Sequence, residues 1–393
     1  MKRANLVFVI ILFVMLTGCS GNRQSDDNLI TIDVTKSYPT KELILQDFAE
    51  VEYVPLESAD GFLNNGAVHF VNNDVIILRN SFDRNAILTF DRHTGKALHR
   101  FSHQGQGPGE YLSVISIVFD EDRRELFFLD YGSRKQILVY DLEGQFKRSF
   151  KNPEDVIYRK LYNYDRDHLF AGNNGSTEEA GTEQRFHIIS KQDGNLVRKI
   201  EIPYEKKAKL PAFTPAGYEV GVSTIALILF KEDFIITELS TDTVYRYSPD
   251  QVLQPFIVRT PPIHSMSSPE VYLSPLFMSD RYYFMRMEKM DIATWTTLES
   301  LLRDLPTKNL VYDTEDKAVY EYKLYNADIT NKTEVEIRGP RTHNSEIIFR
   351  QTLDAYKLVE YYKKGELKGR LKEIAATLDE EDNPVIMLVK HKK

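Results

Sequence analysis

The feature that most constrains the fold is a short unit that recurs along the chain. In residues 86–101, an apolar strand ends in an aromatic residue and Asp91, a glycine-containing turn follows, and a second, alternating strand comes next. Residues 136–150 have the same order around Asp141, 50 residues after Asp91. A fixed period of this size predicts a repeat architecture in which each copy is one supersecondary unit.

Weaker copies occur near residues 186–200, 243–258 and 310–324. Upstream of the second copy, Val114–Asp120 and Glu125–Asp130 are two more short strands joined by a polar turn. Four antiparallel strands in about 40 residues predict one blade of a β-propeller. Blades stack because a single four-stranded sheet cannot bury both of its apolar faces.

Counting units gives five blades and an incomplete sixth at the C-terminus. The sixth contains Ser345–Arg350, a helical stretch and Pro384–Lys390, but its fourth strand is missing. We predict that the N-terminal segment Leu29–Val34 supplies that strand and closes the ring, which removes exposed edges. The predicted fold is therefore an all-β, six-bladed β-propeller.

Two segments, Thr294–Leu305 and Leu367–Leu378, place leucine or isoleucine at helix spacing. They predict short helical insertions that cap the ring. The alternative is a lid over the central mouth.

The N-terminus reads as a secretion signal, because Lys2 and Arg3 precede an apolar run from Leu6 to Leu16. This run is shorter than the roughly 20 residues of a transmembrane helix. It ends in Leu-Thr-Gly-Cys, which resembles the lipobox of bacterial lipoproteins. The resemblance implies cleavage before Cys19 and a diacylglyceryl group on its thiol, and acyl chains hold proteins on membranes. An uncleaved anchor or an ordinary signal peptide is the alternative.

These segments give the predicted domain organisation. Residues 1–18 are the signal peptide, 19–28 are the lipidated cysteine with a flexible polar tether, and 29–393 are the propeller. Asp26-Asp27 is either part of the solvated tether or a sorting signal for surface export. The predicted location is the cell envelope, on the outer membrane, facing the periplasm or the cell exterior.

Composition excludes several classes of partner and site. Cleavage removes Lys2 and Arg3 and changes the formal net charge from −8 to −10, which argues against nucleic acid as a partner. Cys19 is the only cysteine. Once it is lipidated, the fold has no disulfide, no thiolate nucleophile and no cysteine metal site.

Residues 125–141 resemble a propeller repeat of the NHL/TolB-like type. Together with Gly105–Tyr111, Val51–Glu57 and residues 371–385, they resemble the six-bladed β-propeller lipoproteins of Gram-negative bacteria. The resemblance spans nearly the whole mature chain and implies the fold and the compartment. It implies no particular activity.

The glycine-rich segment Gly105–Tyr111 is not a P-loop, because Pro108 removes a backbone donor, no lysine follows and the next segment is a strand. We predict that it connects two blades. No His-Glu-x-x-His or Gly-x-Ser-x-Gly motif occurs. The sequence therefore predicts no catalytic residue, no metal site and no cofactor.

Loops between the second and third strands of each blade open on the same face as Gly105–Tyr111. Their polar residues, with two residues of that segment, are the predicted ligand-binding residues: Asp83, Arg84, Glu110, Tyr111, Asp130, Arg134, Asp242 and Arg286. Mixed charges at a propeller mouth suit a polar ligand such as a sugar or a peptide. The alternative is that these residues hold neighbouring blades together.

The sequence thus favours a membrane-anchored binding or scaffold module for a glycan, a peptide or a partner protein. The alternatives are a lyase or hydrolase that uses the charged mouth, and a structural part of an envelope complex. The fold alone does not decide between them.

Overall fold

The computed structural model describes residues 29–80, 83–130, 136–153, 156, 158–173, 186–203, 225–238, 240–266, 270–290, 307–337 and 346–392. Short strands dominate these ranges and form six separate sheets. The sheets are the blades of a six-bladed β-propeller with few helices, so the predicted fold is confirmed.

The N-terminal segment contains β1 (Ile30–Asp33), β2 (Thr40–Ile44), the short helix α1 (Leu45–Phe48) and β3 (Ala49–Pro55). Blade 1 contains β4 (Val68–Val71), β5 (Val75–Asn80), β6 (Ala86–Asp91) and β7 (Ala97–Phe101). Blade 2 contains β8 (Val114–Asp120), β9 (Glu125–Asp130), β10 (Gln136–Asp141) and β11 (Phe146–Lys151). Blade 3 contains β12 (Tyr158–Asn163), β13 (His168–Asn173), β14 (Phe186–Ser190) and β15 (Leu196–Ile200).

Blade 4 contains β16 (Ile225–Phe230), β17 (Asp233–Glu238), β18 (Thr243–Tyr247) and β19 (Leu253–Thr260). Blade 5 contains β20 (Glu270–Met278), β21 (Tyr282–Met290), β22 (Thr307–Asp313) and β23 (Ala318–Tyr325). The C-terminal part contains β24 (Ile347–Leu353), helices α2 (Ala355–Lys363) and α3 (Gly369–Ala375), and β25 (Val385–His391). Blade 6 is the sheet formed by β24, β25 and β3, in that order.

The aspartate of the repeat fixes the tight turn between the third and fourth strands of a blade. In blade 1, Asp91 Oδ1 accepts hydrogen bonds from the backbone N–H groups of His93 (3.1 Å) and Thr94 (2.7 Å). In blade 2, Asp141 Oδ1 accepts one from the N–H of Gln145 (2.7 Å). A side chain that accepts from the backbone a few residues ahead stabilises a turn without needing a neighbouring strand.

Side chains of each blade alternate between its two neighbours. In β5, Ile76 and Leu78 pack toward blade 6, whereas Val75 and Ile77 pack toward blade 2. The described residues form six hydrophobic clusters, one at each junction between neighbouring blades. The core is therefore a ring of interfaces, and each blade is stabilised by both neighbours.

The N-terminal chain closes the ring, but through a different strand from the one predicted. β3 pairs antiparallel with β25 over seven residues, with Val51 opposite Val389 and Tyr53 opposite Met387. The prediction that Leu29–Val34 completes blade 6 was wrong. That segment contains β1, which pairs in parallel with the outer strand of blade 4, opposite Ile257 and its neighbours.

An arginine contact shows which positions β24, β25 and β3 occupy in blade 6. In blade 1, Arg79 of the second strand donates a hydrogen bond to the carbonyl of Val114, at the start of blade 2. Arg350 of β24 donates in the same way to the carbonyl of Val68 (2.9 Å), at the start of blade 1. β24, β25 and β3 are therefore the second, third and fourth strands.

Residues 30–48, the N-terminal strap, run along the outside of two blades. β1 adds a fifth strand to blade 4, and β2 adds one to blade 5, where it pairs in parallel with β23. Ile32 and Leu43 of the strap are buried in the clusters on either side of blade 5. The strap therefore covers edges that a four-stranded blade leaves open.

Helices α2 and α3 lie between the second and third strands of blade 6. The predicted helix at residues 367–378 is shorter in the structure, where α3 covers Gly369–Ala375. Leu371 and Ile374 are buried in the cluster between blades 5 and 6, as expected for a cap. The predicted helix at residues 294–305 lies outside the described residues.

Ion pairs join neighbouring blades on the turn face, the face that carries the first-to-second and third-to-fourth strand turns. The ammonium of Lys191 in blade 3 lies 2.8 Å from Asp120 of blade 2, and both side chains are almost fully buried. Arg92 of blade 1 donates to both carboxylate oxygens of Glu52 in β3. Lys390 lies 3.0 Å from the same carboxylate.

Replacing Lys191 with methionine should destabilise the protein by about 3 kcal/mol, because it leaves a buried carboxylate without its main partner. Urea unfolding of the purified protein measures this change. The double variant Lys191→Met, Asp120→Asn should recover part of the loss, since asparagine still accepts from the N–H groups of Asp122 and Arg123. Equal stability of the Lys191→Met variant and the wild type would contradict this role.

Acid should weaken the closure of the ring through Glu52. The Arg92 guanidinium, together with Lys390, lowers the pKa of Glu52 from 4.5 to about 2. A carboxyl whose pKa is lowered by folding stabilises the folded state above its unfolded pKa, and that contribution disappears as the pH falls through the folded value.

The Glu52→Gln variant should therefore be less stable than the wild type by about 1 kcal/mol at pH 7, a value reduced for solvent screening. The difference should shrink as the pH falls from 5 toward 2, as measured by thermal unfolding at each pH. Glu373→Gln, which removes an exposed ion pair with Arg370, is the control and should change stability by less than about 0.5 kcal/mol. A constant difference at all pH values would argue against the ion pair.

Candidate functional site

The loop face of the ring carries the second-to-third strand connections and the links between blades. Gly105–Tyr111 is part of the link between blades 1 and 2, as predicted. Within it, Glu110 accepts a hydrogen bond from the backbone N–H of Gly107 (2.6 Å). Gly109 has a φ of +72° and lies so close to the ring of Phe146 that a Cβ would come within 2.8 Å of it. This loop therefore depends on glycine to pass against blade 2.

Three predicted ligand-binding residues of this region join loops together. Tyr111 is fully buried, and its hydroxyl donates to the carbonyl of Asn85 (3.0 Å). Asp130 is buried and accepts from the N–H groups of Leu112 and Ser113, both at 3.0 Å. Asp83 forms an ion pair with Arg100 (2.6 Å).

The other predicted residues are spread around the ring. The side chain of Arg84 is exposed, and its backbone has a φ of +47°. Asp242 in blade 4 accepts from the backbone N–H of Ile263 (2.6 Å). Arg286 in blade 5 donates to the carbonyl of Ile337. Arg134 lies outside the described residues.

The structure thus brings the predicted residues of blades 1 and 2 together around one loop, whereas Asp242 and Arg286 lie at other blade junctions. Most of their polar atoms bond to backbone groups of adjoining loops. These bonds match the alternative that the sequence left open, in which the residues hold the ring together. Asp83 and Arg84 keep partly or fully exposed side chains on the loop face.

A cleft of about 350 Å³ opens on this face where blade 6 meets blade 1. Its walls are the link into β4, the segment before blade 6, the end of β24 and the start of α2. The polar side chains that line it are those of Asn65, Glu336, Arg350, Gln351, Thr352, Asp354 and Lys357. None of the residues predicted from the sequence lines this cleft.

Local contacts hold the walls of the cleft in place. Arg350 donates to the carbonyls of Val68 (2.9 Å) and His69 (3.2 Å), and the Thr352 hydroxyl donates to the carbonyl of Gly66 (2.8 Å). Gly66 has a φ of +71°, and a Cβ there would come within 2.3 Å of Thr352. The floor of the cleft is therefore tightly packed.

The rim carries both signs of charge. The ammonium of Lys357 on α2 lies 3.1 Å from the carboxylate of Asp354, and each side chain is about half exposed. Asp354 raises the pKa of Lys357, so the amine stays protonated at neutral pH. Together with the amide of Gln351, these groups can donate and accept hydrogen bonds over a short distance, as polar ligands require.

One signal in the sequence points to this cleft. Arg350 follows Ile-Ile-Phe in β24, just as Arg79 follows Ile-Ile-Leu in β5 and Arg286 follows Tyr-Phe-Met in β21. Aligning these three strands on their arginines identifies β24 as a second strand, like β5 and β21. Its arginine then marks the junction of blade 6 with blade 1, and the long segment after β24 is recognised as an insertion. The other lining residues have no counterpart in the repeat, so no comparison of blades reveals them.

A second cleft, of about 430 Å³, lies on the turn face between blades 4, 5 and 6. Its charges are largely paired with one another, as between Lys231 and Asp280 (2.8 Å) and between Lys390 and Glu50 (3.7 Å). Burial lowers the pKa of His391, which also lines it.

Within the described ranges, no group of three or more histidine, cysteine, aspartate or glutamate side chains is arranged to hold a metal ion. In the same part of the chain, no helix is long and apolar enough to cross a membrane.

Comparison with solved structures finds several proteins that are similar to this chain. A protein from Bacteroides fragilis, described as exported, is 15% identical and has a TM-score of 0.61, with 93% of this chain and all of that chain covered. A member of the DUF4221 family from Bacteroides vulgatus is 12% identical with a TM-score of 0.46, covering 88% and 98%. Virginiamycin B lyase from Staphylococcus aureus is 10% identical with a TM-score of 0.39, covering 88% and 100%.

Identities this low show a shared fold for the first of these proteins and nothing about activity. Among curated proteins, none matches the chain. A family model described as a domain of unknown function, DUF4934, matches residues 29–390. Because that match covers nearly the whole propeller and its strap, the protein belongs to the DUF4934 family.

Proposed function

We propose that this protein is a lipid-anchored binding propeller of the cell envelope that holds a polar ligand, a glycan or a peptide, on its loop face. The observation that carries this proposal is the cleft between blades 6 and 1. Its rim combines an ammonium, a carboxylate and an amide, and its floor is fixed by hydrogen bonds to the backbone. Ligand sites are typically preformed concave surfaces with a few convergent polar groups.

The position of the cleft supports a binding role as well. α2 and α3 are inserted at this point, so the loop face is built up beside the cleft. Loops and insertions carry function because a rigid scaffold positions them while their sequence varies. Asp83 and Arg84 on the same face are further proposed ligand contacts.

The support for the proposed lipid anchor comes from the sequence. The lipobox-like ending at Cys19 and the polar residues that follow it place the first described residue, Leu29, ten positions after the lipid. The exported description of the Bacteroides fragilis protein agrees with an envelope location. After the proposed tether, β1 of the strap pairs with the outer strand of blade 4.

Removing the charged pair at the rim of the cleft should weaken ligand binding and leave the fold intact. The variant is Asp354→Ala with Lys357→Ala, an exposed pair whose loss costs under about 1 kcal/mol of stability. Ligands are identified on glycan and peptide arrays with the wild type and then measured by calorimetry. We expect affinity to fall at least about tenfold, or about 1.4 kcal/mol.

The matched control is Glu360→Ala with Lys364→Ala, an exposed ion pair (2.6 Å) on the same helix but outside the cleft lining. It should bind like the wild type. Equal losses in both variants would place the ligand elsewhere. A wild type that binds no glycan and no peptide would contradict the proposal.

Cys19→Ser should release the protein from membranes, because a hydroxyl does not receive the diacylglyceryl group. Cell fractionation and labelling with an alkyne fatty acid measure the two consequences: loss from the membrane fraction and loss of label. Ser20→Ala is the control and should retain both. A Cys19→Ser variant that stays in the membrane fraction to the same extent would contradict lipid anchoring.

A further inference from the structure

The outer edges of the six blades differ in what covers them. β1 lies on the edge of blade 4 and β2 on the edge of blade 5. In blades 1, 2 and 3, the outer strands β7, β11 and β15 end their sheets, and no other described strand pairs with them. Three adjacent blades therefore present backbone N–H and C=O groups on which another strand can pair.

These three strands, here called the basic rim, carry only one sign of charge. Their sequences are Ala-Leu-His-Arg-Phe, Phe-Lys-Arg-Ser-Phe-Lys and Leu-Val-Arg-Lys-Ile. They contain six lysines or arginines and no acidic residue, although the whole chain has a formal net charge of −8. By contrast, β3 at the edge of blade 6 carries Glu50 and Glu52.

Large apolar side chains are exposed on the same strands. Leu98 of β7 is 43% exposed, Phe146 of β11 is 44% exposed and Val197 of β15 is 54% exposed. Each strand of the basic rim thus offers one apolar contact as well as cations. If a strand is added at such an edge, these side chains provide contacts in addition to the main-chain hydrogen bonds.

Some of the positive charge of the basic rim is neutralised within the blades, and Lys151 and Arg198 face outward. Three cations form ion pairs, Arg100 with Asp83 (2.6 Å), Lys147 with Asp141 (2.8 Å) and Arg148 with Glu125 (2.7 Å). Lys151 and Arg198 are exposed and have no acidic partner among the described contacts. The charge left for a partner therefore lies on blades 2 and 3.

We infer that the basic rim docks an acidic polypeptide segment in extended conformation, which adds a fifth strand to blade 2 or blade 3. The protein already builds this arrangement on itself, since β1 and β2 add parallel fifth strands to blades 4 and 5. Main-chain hydrogen bonds supply affinity in such strand addition, and side chains supply selectivity. Glutamate or aspartate side chains of the partner pair with Lys151 and Arg198, and its apolar side chains cover Phe146 or Val197.

Charged residues on an edge strand also serve to prevent pairing with other strands. The two roles make opposite predictions for an acidic strand. Cations that only prevent pairing leave such a strand unbound, whereas a docking site attracts it because the charges are opposite. A fluorescent peptide of alternating glutamate and valine is therefore the probe, measured by anisotropy against the full-length protein in detergent. We expect binding that weakens with added salt.

Two further peptides separate strand addition from simple charge attraction. The same peptide with N-methylated valines keeps its charge but loses backbone donors, and it should bind at least about tenfold more weakly. A lysine–valine peptide should not bind. Equal binding of the N-methylated and unmethylated peptides, or of the acidic and basic peptides, would overturn the inference.

Two charge-reversal double variants test whether the binding site lies on blades 2 and 3. Lys151→Glu with Arg198→Glu should weaken binding of the acidic peptide at least about tenfold. The matched control, Lys323→Glu with Lys372→Glu, makes the same change in charge at exposed positions of blade 5 and α3, outside the basic rim. Equal losses in both variants would overturn the assignment to blades 2 and 3. Thermal unfolding of each variant verifies that the fold is retained.

Discussion

A four-stranded blade has two apolar faces, and burying both requires a neighbour on each side. β5 shows this directly, because Ile76 and Leu78 pack on blade 6 while Ile77 packs on blade 2. A row of such blades is stable only if it closes, since otherwise two apolar faces remain in water. The pairing of β3 with β25 joins the two ends of the chain in one blade, and the rest of the structure depends on that closure.

The polar groups at the blade junctions follow from the same constraint. Tight packing buries backbone carbonyls and loop N–H groups, and each needs a partner. Arg79, Arg286 and Arg350 donate to carbonyls of the next blade or its link, while Asp130 accepts from N–H groups of the loop that enters its own blade. Charged residues at a propeller mouth are therefore often structural. A ligand site is better sought where the repeat is interrupted, as in blade 6.

The strap makes a nearly symmetric ring asymmetric. It covers the edges of blades 4 and 5, whereas in blades 1, 2 and 3 no described strand pairs with the outer strands, which carry cations and exposed apolar residues. The loop-face cleft and the basic rim are separate surfaces, so one molecule can hold a ligand and a partner at once.

The sequence by itself determined the blade, because its signals are local. Alternating strands and the aspartate that bonds to its own turn act within a few residues, as does Gly109 in its loop. The four strands of blade 2 and the two outer strands of blade 1 were therefore predicted close to their observed positions. The lipobox-like segment is likewise a local pattern, and it remains a prediction.

Only the tertiary structure decided which N-terminal strand closes the ring and where the cleft lies. The sequence predicted a strand at Leu29–Val34 but did not identify β3 as one. Which of the two closes the ring depends on packing against blades that lie hundreds of residues away. The cleft combines Asn65 with Gln351 and Lys357, whose proximity comes from ring closure. Sequence patterns report periodicity within one strand or helix. A site between the first and last blades instead depends on how the N-terminal and C-terminal parts of the chain pack together when the ring closes.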